Sequence, residues 1–288
     1  MKNLFILLIL IGSVFAIPIS ECMEITSPGE YELIRDLSAG SIPSTSVGGN
    51  ACIRVSVSQV SINCNDHIIS GTSQAKYGIL LESNNFQTLE NIDISRCEIQ
   101  GYEVGIFSPK TIRSSFTNLT VSDLSGYGLY FWDTDNSVFA NNSVYDTEET
   151  GIYLSLGSDA NSILNNSIRN SNHHGLAVMG NENQLLGNVI FDNRGSGIFV
   201  IGQSSGNTIN LNTLYGNMGD GIAFESNGES RNQNLVNLDY GNRDLSAQGS
   251  ASSSATNSSP LARPSPSSSA CCAPVFMLVV LAFLSKSI

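Results

Sequence analysis

The chain has 288 residues and a formal net charge of -12, with 13 Lys and Arg against 25 Asp and Glu. That balance excludes a nucleic-acid binder, whose phosphate contacts need clustered Lys and Arg, and it favours solubility. Charged residues are only 13% and hydrophobic ones 41%, so a packed core is available and disorder over the whole length is excluded.

Residues 1–16 read as a signal peptide: Met1-Lys2-Asn3, an apolar run from Leu4 to Phe15, and Ser13 and Ala16 in the small-residue positions of a cleavage site after Ala16. The run is too short to span a bilayer, so the chain is expected to be exported. Residues 17–51 form an N-terminal cap segment. Export makes Cys22, Cys52, Cys64 and Cys97 legible as disulfides, since all four lie early in the mature chain and an oxidising compartment lets them bridge. Three pairings are open. Cys22 with Cys52 and Cys64 with Cys97 is favoured, because it ties the cap to the first coils and protects an open sheet end. A metal site is disfavoured by the lack of a Cys-x-x-Cys spacing.

Residues 52–245 carry a repeat. Gly-Ile or Gly-Leu pairs fall at Gly78, Gly105, Gly128, Gly151, Gly175, Gly197 and Gly221, separated by 27, 23, 23, 24, 22 and 24 residues. A period this short excludes helical repeats and propeller blades. A second element recurs in each unit as Asn118-Leu119, Asn141-Asn142, Asn165-Asn166, Asn188-Val189 and Asn212-Thr213. Asn suits tight turns between strands, and stacked Asn side chains hydrogen-bond along an axis. The density of Gly and Asn excludes helix. The spacing predicts an all-β, single-stranded right-handed parallel β-helix of about seven to eight coils, in which no coil buries its apolar face alone and stacking at about 4.8 Å supplies the stability.

Residues 246–269 are a Ser/Pro-rich stalk with a sequon at Asn257, the favoured glycosylation site because it is flexible and exposed. Residues 270–288 form a hydrophobic C-terminal tail. Its apolar stretch of about 15 residues makes roughly 22 Å of helix, short of a hydrocarbon core of about 30 Å. Two readings stand: a retained anchor with Lys286 inside, or a sorting signal cut off and replaced by a lipid. Either places the protein at a cell surface, facing outward. Cys271 and Cys272 read equally as acylation sites or as small residues at a membrane boundary.

The Gly-Ile anchors, the phrase from Val60 to Gly71 (VSINCNDHIISG) and phrases such as Asn183-Gln184-Leu185-Leu186-Gly187-Asn188 resemble the parallel β-helix repeats of the NosD-like, carbohydrate-binding and sugar-hydrolase group of the pectin-lyase-like superfamily. The resemblance covers about Cys22 to Asp244. It implies the fold and little about activity, because that superfamily hosts lyases, hydrolases, epimerases, adhesins and metal-delivery proteins.

Alternation along the anchor strand sets a phase. Placing Ile79, Ile106, Leu129, Ile152, Leu176, Ile198 and Ile222 inward gives a uniformly aliphatic column. The next residue then points outward, and that column reads Leu80, Phe107, Tyr130, Tyr153, Ala177, Phe199 and Ala223. Two places further come Glu82, Pro109, Trp132, Ser155, Met179, Ile201 and Glu225. Phe107, Tyr130, Trp132, Tyr153 and Phe199 on one outer face suit the apolar faces of consecutive sugars, so the ligand expected is a polysaccharide or surface glycan. The bland alternative is a set of cross-strand pairs that stabilise the sheet, covered by a tail or partner chain.

Catalysis needs paired carboxylates. Glu82, Asp133, Asp135, Asp159, Glu182 and Glu225 lie at the same sheet edge, and Asp133 or Asp135 with Asp159 on the next coil permits an inverting glycosidase. Acidic turn residues in solvent are the ordinary alternative. The Asn-Thr-Asp, Asp-Asp and Arg-x-Lys companions that a polygalacturonase sets beside a His-Gly pair are missing, although His174-Gly175 is present. A polyuronate lyase needs a Lys or Arg base, and only Lys110 and Arg113 lie near this face. The surrounding acids repel an anionic polymer, so a neutral sugar is expected. His173 and His174, with Met179, are the sole local candidates for the copper site that the NosD-like resemblance raises, and satisfied turn histidines are the better reading. No cofactor is expected. Sequons at Asn118, Asn141 and Asn165 read as products of the Asn turn.

Overall fold

The computed structural model describes residues 16–38, 41–71, 75–225 and 229–243. The predicted stalk and tail, with Asn257, Cys271 and Cys272, lie outside the described residues, as does the predicted leader apart from Ala16. Ile17, the residue after the predicted cleavage point, opens the first strand. Among the described residues no helix is long and apolar enough to cross a membrane.

Among the described residues three long sheets of ten, nine and ten strands run along the solenoid, parallel throughout except for Ile42–Pro43, which joins one ten-stranded sheet antiparallel. Each coil passes through sheet 1 (Tyr77–Leu81 in one coil), sheet 2 (Ile92–Ser95), sheet 3 (Glu98–Gln100) and back to sheet 1 (Val104–Ser108). A short fourth sheet of Leu89–Glu90, Thr111–Ile112 and Thr134–Asp135 lines the corner between sheets 1 and 2. The register in sheet 1 follows the Gly-Ile series, pairing Ile79 with Ile106, Ile106 with Leu129, Leu129 with Ile152 and so on to Ile222. The chain is therefore the all-β parallel solenoid that the spacing predicts.

The stack takes in the segment expected as a cap. Residues 17–51, expected as a cap, already contribute Ile17–Ile19 and Gly29–Leu33 to sheet 2, Met23–Ile25 to sheet 1 and Leu37–Ser38 to sheet 3. These strands escape the Gly-Ile pattern because their coils hold other residues at the anchor. Cys22 bonds to Cys52 and Cys64 to Cys97, as favoured from the sequence, across separations of 30 and 33 residues. Both staples join consecutive coils at this end of the stack.

The core is a set of inward columns. Ile79, Ile106, Leu129, Ile152, Leu176 and Ile198 are wholly buried, and Phe116 and Phe139 on sheet 2 stack at 5.1 Å. Full burial of an aliphatic of this size is worth about 1.5–3 kcal/mol, repeated at every level. The anchor glycines serve close approach. A Cβ on Gly151 would lie 2.6 Å from Ile168 Cγ2 and 2.8 Å from the Gly175 carbonyl oxygen of the next coil. The glycine lets sheet 1 begin hard against the level below.

Three buried Asn ladders lock the corners. In the one read from the sequence, the Asn142 N–H donates to Asn166 Oδ1 at 3.0 Å, and Asn166 Nδ2 donates to the Phe139 carbonyl and to Asn188 Oδ1, each at 2.9 Å. It continues through Asn212 to Asn237. A second runs through Asn161, Asn183 and Asn207, and a third through Asn193 and Asn217. Each side chain replaces the backbone partners a tight corner would otherwise leave unpaired.

Candidate ligand face

The outer face of sheet 1 carries the aromatic residues. Register aligns Phe107 with Tyr130 and Tyr130 with Tyr153. Their ring centroids lie 5.3 and 5.2 Å apart, the second pair parallel within 3°. Tyr77 extends the stack upward on Phe107 at 5.3 Å, and Tyr127 packs beside Tyr130 at 4.5 Å. Trp132 stands across the row, nearly perpendicular to Phe107 and Tyr130 at 85° and 83°. Rings stacked in parallel use their faces on each other, so Tyr130 and Tyr153 turn edges and phenol groups outward. Trp132 is the ring that stands clear, 40% exposed.

Two expected members differ. Phe107, expected to face solvent, is only 3% exposed, because Tyr77, Tyr130 and Trp132 surround it and Val47 packs on the same cluster. Phe199 points outward but sits apart from the others, since Ala177 intervenes in the column and the Phe199 ring stacks on His174 at 4.4 Å. The face that the fold assembles is therefore Tyr127, Tyr130, Trp132 and Tyr153. Tyr127, absent from the sequence-based set, lies one column over, before the anchor glycine. Burial above all, with the nearby Glu149 and the two neighbouring tyrosines, pushes its phenol up to about 12, so it is a hydrogen-bond donor at neutral pH.

Glu82, expected outward among the edge acids, is 1% exposed. The strand Ile42–Pro43 returns antiparallel to Asn50–Val55, and the following loop wraps the carboxylate. Glu82 accepts from the Thr45 N–H at 3.0 Å, the Ser46 N–H at 2.6 Å, the Val47 N–H at 3.0 Å and the hydroxyls of Ser44 and Ser46. Arg54 completes the cluster, paired with Glu24 at 3.0 Å and Glu82 at 3.4 Å. Burial opposes the charge on Glu82, yet these donors hold its carboxyl below the ordinary carboxylate range. The loop thus covers the top of sheet 1 and leaves the levels from Tyr127 downward open. A return of this kind has no repeat signature, and an acid directly after an anchor strand reads as solvated.

The acidic candidates are engaged along the axis. Asp133 pairs with Lys110 at 2.8 Å. Asp135 Oδ1 accepts the Asp159 N–H at 2.9 Å, and Asp159 Oδ1 accepts the Asn181 N–H at 2.6 Å. Burial first, then the nearby Asp159 and Asp133, pushes the Asp135 carboxyl up. These carboxylates bind the next coil. His174 accepts the Ser196 N–H on Nδ1 at 3.0 Å, and His173 Nδ1 lies 3.2 Å from the Thr150 hydroxyl. Among the described residues, no group of three or more His, Cys, Asp or Glu is placed to hold a metal. A shallow recess at the corner between sheets 3 and 1 is lined by Asp123, Asp146, Glu148, Asn170 and Asn172. There Asn170 donates to Asp146, and Asn172 to Glu148.

Residues 48–214 and 157–253 match the family described as right handed beta helix region. The chain belongs to that family. No curated protein matches it. Among solved structures it is similar to the mannuronan C-5 epimerase AlgE6 A-module of Azotobacter vinelandii, at 14% identity and a TM-score of 0.50, over 74% of this chain and 57% of that one. It is similar to the periplasmic alginate epimerase AlgG, at 14% identity and a TM-score of 0.48, over 70% and 58% of the two chains. It is also similar to a DFA-IIIase of Arthrobacter chlorophenolicus A6, at 12% identity and a TM-score of 0.45, over 70% and 57%. The likeness is one of fold, and the chain spans under three-fifths of the length of these structures.

Proposed function

We propose that this β-helix is a surface protein that binds a neutral glycan on the outer face of sheet 1, centred on Trp132. The observation that carries the reading is the grouping of an exposed tryptophan with three outward tyrosine edges, Tyr127, Tyr130 and Tyr153, on a rigid sheet. Trp132 supplies apolar area for a sugar ring, and the phenols, at a spacing close to one strand, supply hydrogen bonds to its hydroxyls. The net charge of -12 disfavours polyuronates. Asp133, Asp135 and Asp159 hold the stack together, which supports binding over turnover. Export and attachment at a membrane through residues 270–288 complete the proposal and place the face outside the cell.

A glycan array probed with the full chain tests it. Binding to neutral glycans is expected, with Trp132→Ala lowering affinity at least tenfold and Tyr153→Phe by a smaller factor. Unchanged binding by Trp132→Ala, or no glycan bound by a chain with both disulfides formed, refutes it.

A further inference from the structure

At six consecutive levels the corner between sheets 2 and 3 turns on one left-handed residue. Arg96, Asn118, Asn141, Asn165, Gly187 and Leu211 hold φ of 56°, 54°, 58°, 54°, 70° and 56°. Arg, Gly and Leu serve there, so the turn does not demand Asn. Three consecutive levels nonetheless carry Asn followed two places on by a hydroxyl: Asn118 with Thr120, Asn141 with Ser143 and Asn165 with Ser167. The hydroxyl residues are aligned in register on sheet 3.

The neighbouring asparagines behave differently. Asn142 and Asn166, one residue later, are buried and hydrogen-bonded through both side-chain atoms. Asn118, Asn141 and Asn165 are exposed, and among the described residues their carboxamides make no hydrogen bond. The same dipeptide therefore points one amide into the ladder and leaves the other free, with a hydroxyl at the spacing that N-linked transfer requires.

We propose that Asn118, Asn141 and Asn165 are acceptors for N-linked glycosylation from a lipid-linked pyrophosphoryl oligosaccharide. In each transfer the bond from Nδ2 to the anomeric carbon forms, the anomeric C–O bond to the lipid pyrophosphate breaks, and Nδ2 gives up one proton. The proposal rests on export of the chain and is independent of the ligand face. Sheet 1 does not border this corner, so sugars there leave Trp132 uncovered. The three attachment points lie about 4.8 Å apart, one per coil, and form a row of sugar stems along one edge.

The full chain, placed behind the cleavable leader of a secreted protein and translated into glycosylation-competent microsomes, tests this in the protease-protected fraction. Three mass additions besides any at Asn257 are expected. One is lost in each of Asn118→Gln, Asn141→Gln and Asn165→Gln. Thr120→Ala removes the same addition as Asn118→Gln, whereas Thr120→Ser retains it. After membrane lysis the glycosylated chain is expected to resist trypsin as well as the triple Gln variant does. A protected chain with no additions, or with additions abolished by Asn257→Gln alone, overturns the proposal. So does glycosylation that leaves the solenoid trypsin-sensitive while the triple variant resists.

Discussion

At the residue scale, position within a corner decides what an asparagine does. Asn188 Oδ1 accepts the Asn166 N–H, and its Nδ2 donates to the Ile163 carbonyl and Asn212 Oδ1, all at 2.9 Å. Asn188→Ala strands several buried groups at once, each costing about 1–3 kcal/mol, so a loss of about 3 kcal/mol or more is expected in urea unfolding. Asn165→Gly, in a corner where the next coil already uses Gly187, is expected to stay within about 0.5 kcal/mol of the parent. His174 gives a pH dependence. Burial, helped by the neighbouring His173, lowers its pKa from 6.5 to about 4. Between those values the unfolded chain binds a proton that the folded chain refuses, so stability falls as pH drops from about 6.5 toward 4. The expected loss is about 2–3 kcal/mol. Urea midpoints across that range check it, and His174→Gln flattens the slope.

At the scale of elements, the close approach of sheet 1 to the coil below is the sensitive feature. Gly151→Ala drives a methyl against Ile168 and the Gly175 carbonyl, and overpacking of this kind costs about 1–3 kcal/mol. Thermal unfolding is the measurement. The anchor strands were legible in the sequence because one small residue and one inward aliphatic recur at each level. Only one of the three ladders was equally legible. Asn161, Asn183 and Asn207 recur at the same period as Asn166 and Asn188, but the strands between corners are three residues long, too short for alternation to separate inward from outward Asn. The aromatic face was half legible. Trp132, Tyr130 and Tyr153 follow from the phase, whereas the burial of Phe107 depends on Tyr77 and on a loop that returns from Ile42, contacts that no local pattern encodes.

For the whole molecule, stability is distributed unevenly. Both disulfides and the Glu82 loop secure the coils up to Cys97. Closing loops of 30 and 33 residues is worth roughly 3–4 kcal/mol each. Replacing all four cysteines with Ser or Ala is expected to raise hydrogen exchange between Ile17 and Cys97 while coils from Leu129 to Val200 keep their protection. Loss of protection throughout would show that the stack unfolds as one unit.

The stapled coils also come first in chain order. Each level presents the next with a ready row of amides, carbonyls and Asn side chains, so a coil settling on its predecessor meets a finished surface and has only its own residues to order. During synthesis the N-terminal levels therefore act as a seed crystal. The repeat then extends by layer growth toward Tyr240, where Leu235, Val236 and Leu238 remain more than half exposed. An error in register at one early layer would be copied into every layer after it, which gives the covalent staples a role as guardians of fidelity.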